Sequence, residues 1–102
     1  MDRDQVIARL RAHQTELRAA GIDSLAIFGS AARGEATGDS DVDIVVRLSG
    51  EAARGGFAYF GRLALLVERL RDILGCPVDL VTEPIRKERL RRQIEKEAIL
   101  AF

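Results

Sequence analysis

Gly29-Ser30, a ten-residue spacer and then Asp41-Val42-Asp43 join a turn able to hold phosphate to carboxylates able to hold metal ions. One apolar run ends at Gly29 and another begins just after Ser40, so both halves of the pattern sit at strand ends. A residue without a side chain lets the backbone approach a phosphate closely, and the helical turn that follows aims free N–H groups at the anion. Ser30 adds a hydroxyl donor, and Arg33, one turn on, offers a charged fork to the same oxygens. Asp41 and Asp43 lie two apart on a strand, so both side chains leave one face. Neighbouring carboxylates repel unless a cation lies between them, and hard oxygen ligands with room for substrate phosphates favour magnesium. A glycine turn followed by a solvated acidic strand end would explain each half but not their pairing.

The elements that must position these groups follow from periodicity. Asp2 to Ala20 reads as one helix, with Val6, Ile7, Leu10 and Leu17 on a stripe and Gly21 as its stop. Ser24 to Phe28 is a short buried strand, and Asp41 to Leu48 a second one rich in β-branched residues. Ser49 to Gly56 reads as a flexible glycine-bearing loop, expected beside the motif end of the sheet as a docking place for a partner. Phe57 to Leu74 is an amphipathic helix with Phe57, Phe60, Ala64, Val67, Leu70 and Leu74 at helical spacing, and Gly75 ends it. Pro77 opens a third strand, Val78 to Thr82, and Pro84 closes it; Arg86 to Ala98 is a charged helix before the apolar tail Ile99-Leu100-Ala101-Phe102. The fold class is therefore α/β (α+β): one domain over residues 1–102, a small mixed β-sheet covered by helices, in the order αβ(short α)βαβα. The stretch from Ser30 to Ser40 is too short for a full crossover helix, so the first two strands are expected to be antiparallel.

Asp79 is the candidate third carboxylate. It interrupts the apolar run Pro77-Val78-Asp79-Leu80-Val81, where an acid is costly to bury, and a neighbouring strand position would bring it beside Asp41 and Asp43. The alternative is an edge-strand acid pointing at water. His13 reads as a solvated histidine and Cys76 as a packed thiol, and a single Cys with a single His does not support zinc. The charges of the last helix read first as a solvated face, then as a basic patch toward RNA or an acidic partner. One helix side cannot hide both Tyr59 and Phe60, so some aromatic surface should remain for a partner; the tail ending in Phe102 could be core or interface.

Composition narrows the classes. With 102 residues, 47% hydrophobic and 31% charged, the chain has room for one modest core and reads as an ordinary globular protein. Sixteen basic residues balance sixteen acidic ones, which argues against a protein that grips long nucleic acid and leaves little charge to oppose self-association. No apolar stretch approaches a membrane span, and the charged start is no signal peptide, so a cytoplasmic location is expected. The glycine–lysine sequence of a P-loop is absent, and no Gly-x-Gly-x-x-Gly follows a strand.

The stretch Gly29-Ser30-Ala31-Ala32-Arg33-Gly34 through Ser40-Asp41-Val42-Asp43 resembles the signature of nucleotidyltransferases related to DNA polymerase beta. In its brevity the chain is similar to the minimal nucleotidyltransferases that pair, as antitoxins, with HEPN-domain ribonuclease toxins. The resemblance implies a polymerase-beta-like fold, nucleotide-binding roles for Gly29, Ser30, Arg33 and Ser40, and metal-binding and catalytic roles for Asp41, Asp43 and Asp79. It implies ATP as substrate, two Mg2+ ions as cofactors, and AMP transfer to a tyrosine hydroxyl of the HEPN partner, in a hetero-oligomer or homo-oligomer. A second reading stays open, in which the nucleotide site is vestigial and the chain neutralises its toxin by covering it.

Overall fold

The computed structural model describes residues 1–35 and 40–102; the middle of the spacer between the glycine turn and the aspartates lies outside the described residues. Asp2 caps the first helix, α1 (Arg3–Ala12): its carboxylate accepts the Gln5 N–H at 2.8 Å while the Gln5 side chain accepts the Asp2 N–H at 3.0 Å. The single first helix expected from periodicity is two helices, because α1 stops at His13 and α2 (Gln14–Ala19) begins after it. The cause is local. The His13 ring Nδ1–H donates to the Arg9 carbonyl at 2.9 Å, taking the acceptor an unbroken helix would give to the His13 N–H, which turns to Leu10 instead. Val6, Leu10 and Leu17 still face one core.

Among the described residues the sheet has four strands in the order β3-β2-β1-β4. β1 (Ile22–Phe28) pairs antiparallel with β2 (Val42–Leu48), as the short connection requires. Between them lies the short helix α3 (Gly29–Arg33). After β2 the chain crosses over through α4 (Phe57–Leu74) and returns as β3 (Val78–Thr82), parallel to β2. Then α5 (Glu88–Glu97) leads to β4 (Ile99–Leu100), antiparallel to β1. The apolar tail is thus a strand: Ala101 is buried, and the Arg11 Nε–H donates to its carbonyl at 2.7 Å.

Strand alternation divides the apolar residues between two faces. Leu25, Ile27, Val42, Ile44 and Val46 meet α1, α2 and α4, whereas Phe28 and Val45 meet Ile94 of α5. The core stripe of α4 is Leu66, Leu70, Ile73 and Leu74. Phe57 is 98% and Phe60 69% exposed, and Ala64 is exposed too, which corrects their assignment to the core stripe while keeping the expected aromatic surface.

The loop after β2 is not where the sequence suggested. β2 begins next to the aspartates and ends at Leu48, so residues 49–56 lie at the far end of the sheet from them. There Arg62 holds the carbonyls of Ala52 and Arg54 at 3.1 and 2.8 Å.

Candidate active site

Register brings the motif together. Asp43 of β2 stands opposite Phe28 of β1 on one side and Asp79 of β3 on the other. Gly29 follows Phe28 directly and opens α3, so the turn and the two strand carboxylates meet at one end of the sheet. Asp43, Val45, Asp79 and Val81 share the face covered by α5, since their neighbours Val42, Ile44 and Val78 point into the larger core. Asp41, two residues before Asp43, is exposed just ahead of β2. Asp79 is exposed on the edge strand, so the edge position and the position beside Asp43 are one and the same.

Gly29 makes this arrangement possible in two ways. Its φ of +69° lies in the left-handed region that residues with a Cβ rarely adopt. A Cβ built there would also collide with Oδ2 of Asp43 and stand 3.1 Å from its Cγ. The glycine therefore makes room for a carboxylate of its own chain as well as for any ligand. Ser30 is half-buried in the first turn of α3, and its carbonyl accepts the Glu35 N–H at 2.9 Å, closing the turn; Ser40 is half-buried immediately before Asp41.

Electrostatics mark Asp43 as the strained member. Burial raises its pKa first, and the charges of Asp79, Asp41 and Glu97 push it further up, with Arg33 opposing. Among the described residues no three His, Cys, Asp or Glu side chains close into a metal-holding group. The donor set nevertheless fits a hard divalent cation: carboxylate oxygens from two adjacent strands and one strand entrance, with a repulsion that a cation would relieve.

Arg33 is placed one turn from Gly29, as expected, but its guanidinium is engaged. Its Nη1–H donates to Glu97 at 2.6 Å and its Nε–H to Glu35 at 3.1 Å. The bond from Arg33, followed by weaker help from Gln93 and the Gly29 N–H, holds Glu97 below the usual carboxylate range. Sequence reasoning left Glu97 among the solvated charges of the last helix. The signal was there: Leu90, Ile94 and Glu97 recur on one helical stripe, and the first two pack against the sheet. An acid at the end of an apolar stripe is aimed inward.

The chain matches the model of the family described as nucleotidyltransferase domain over residues 10–101. It is 34% identical to the protein adenylyltransferase MntA of Thermococcus cleftensis, over 94% of this chain and 92% of that one. A solved structure described as a minimal nucleotidyltransferase superposes with a TM-score of 0.76 at 36% identity, covering 97% of this chain and 95% of the other. A structure described as a tri-AMPylated Shewanella oneidensis HEPN toxin in complex with MNT antitoxin shares the fold, with a TM-score of 0.60 at 20% identity over 90% of this chain and 68% of the matched one.

Proposed function

Because the chain belongs to the nucleotidyltransferase domain family, in its minimal branch, we propose that it transfers AMP from ATP to a tyrosine hydroxyl of a HEPN-type toxin partner and thereby silences it. The observation that carries this reading is the strand register that sets Asp43 between the Gly29 turn and Asp79. The relative named a protein adenylyltransferase supports AMP as the group moved, and the fold neighbour described with an AMPylated HEPN toxin supports the partner class. The expected compartment is the cytoplasm; no described helix is long and apolar enough to cross a membrane.

In this mechanism the Gly29 turn lets the backbone come close to the triphosphate and Ser30 presents its hydroxyl, with Arg33 and Ser40 as the further nucleotide-binding groups. Asp41, Asp43 and Asp79 would hold two magnesium ions, whose chemistry is to offset charge on the attacking and leaving oxygens of an in-line displacement. A bond forms between the acceptor oxygen and the α-phosphorus as the bond to the β-phosphate oxygen breaks and pyrophosphate leaves. The acceptor's proton passes toward Asp79, the exposed carboxylate on the open edge of the sheet. Asp79→Asn should therefore lower turnover by about a hundred-fold or more with nucleotide affinity changed far less. Equal losses in both, measured by steady-state kinetics and nucleotide titration, would move Asp79 to the nucleotide side.

The decisive experiment mixes the purified protein with a HEPN-type toxin, ATP and magnesium, and weighs the toxin by mass spectrometry. A gain of one or more AMP units that disappears with a chelator is expected, and tyrosine is expected on mapping the site. Inhibition of the toxin with no mass gain would favour the covering reading. Extension of an RNA 3′ end with no protein modified would overturn both, and a net charge of zero argues against it.

A further inference from the structure

Glu97 is unlike the other acids of its helix. Its side chain is 14% exposed, against 62% for Glu88 and 68% for Glu95. One oxygen accepts the Arg33 Nη1–H at 2.6 Å, and the other, Oε1, is buried without a well-formed hydrogen bond, the Gln93 side chain and the Gly29 N–H assisting the carboxylate only weakly. Its charge also works against Asp43, whose own ionisation it opposes. A half-exposed ion pair contributes little to stability, whereas an inward carboxylate with an unsatisfied oxygen costs free energy. Its lowered pKa implies a stabilising contribution, but a modest one for a part-exposed pair, and stability alone does not account for Glu97.

Its position does. Arg33 ends α3, the helix that the Gly29 turn opens, and Glu97 ends α5, just before the strand that pairs with β1. An arginine on the last turn of so short a helix would otherwise sample many rotamers. Held by Glu97, and by Glu35 on a second N–H, the guanidinium has one position near the site and keeps further donors for an anion. We propose that Glu97 is a positioning residue: through its ion pair it fixes the Arg33 guanidinium and locks α3 to α5, so that a nucleoside triphosphate meets a preset cation. This rests on the nucleotidyltransferase reading and deepens it, because the C-terminal helix becomes part of the nucleotide site.

The test is titration of a non-hydrolysable ATP analogue with magnesium into wild type, Glu97→Gln, Arg33→Gln and the double variant, with melting temperatures alongside. Glu97→Gln should weaken binding about five- to ten-fold with little change in melting temperature, since the amide keeps the shape and loses the charge-assisted bond. In the Arg33→Gln background the same change should alter affinity less than about two-fold, because the two residues act as one unit. Glu97→Asp, which keeps the charge but withdraws it from Arg33, is the second variant should the first fail to fold, and the same loss is expected. Wild-type affinity in the folded Glu97 variants, or an equal loss in both backgrounds, overturns the proposal. A wild-type protein that binds no analogue sinks the nucleotide reading itself, and the positioning role with it.

Discussion

Asp43→Asn should reduce AMP transfer by at least about a thousand-fold while leaving the melting temperature unchanged or higher. The kinetic half follows from the several kcal/mol that charge stabilisation at the transferred phosphate supplies, about 4 kcal/mol being a thousand-fold. The stability half follows from the environment of the carboxyl, half-buried between the Gly29 turn and Asp79 and raised in pKa by burial and by three neighbouring carboxylates. An acid whose pKa is higher folded than unfolded loses stability as it ionises. The cost is absent below the unfolded pKa and fully present above the folded one. Asparagine carries no such charge, so the variant should gain on wild type as pH rises through that window. Asp41→Ala, at an exposed position, should lose transfer in the same way without loss of fold. Transfer assays and thermal melts across pH check both halves; near-normal turnover by either variant would remove the carboxylate-based mechanism.

That the site costs the fold something explains what could be read from the sequence and what could not. α4 and β3 are legible to their ends because their boundaries are local: Gly75 closes α4 at a φ of +70°, and prolines flank β3. The antiparallel β1–β2 pair is legible because a short connection leaves no other choice. The features that escaped are those set by tertiary partners. β4 is two residues long and is a strand only because β1 offers it an edge, which the tail's apolar run could not announce. The break at His13 depends on a ring turning back on its own helix, where the apolar stripe runs on undisturbed through Leu17. Phe57 and Phe60 obey helical spacing yet lie exposed, so periodicity sets their angle on the helix without setting whether anything packs there. The loop at 49–56 follows the motif closely in sequence but not in space, because a seven-residue strand separates the two. The meeting of Gly29 with Asp43 needed no such information, because a turn and an antiparallel strand joined by a short connection return to one end of the sheet.

Gly29→Val should lose more activity than a blocked phosphate site alone would predict, and even Gly29→Ala should lose most of it. A residue with a Cβ at a φ of +69° adds strain of about 1–3 kcal/mol wherever it sits. Here the added Cβ also meets Oδ2 of Asp43, the carboxylate that the mechanism can least afford to move. Asp43 cannot retreat along the sheet, where it faces Asp79, without closer approach of two like charges. It must rotate out of its place or push the turn away. A displacement of about 1 Å at a reacting centre can cost on the order of a hundred-fold in rate, and the alanine variant is expected to lose at least that in turnover. Nucleotide affinity should fall less in alanine than in valine, whose branches also obstruct the close approach of phosphate to the backbone; there the expected loss is about ten-fold or more. The ratio of the two effects separates the roles of the glycine. Affinity measured by titration reports on the phosphate turn, and turnover at saturating ATP reports on Asp43. If Gly29→Ala turned over normally with weakened ATP binding, the glycine would serve phosphate alone and its contact with Asp43 would be incidental. Equal binding with collapsed turnover would instead make the carboxylate its principal client, which is the outcome that the built Cβ predicts for alanine.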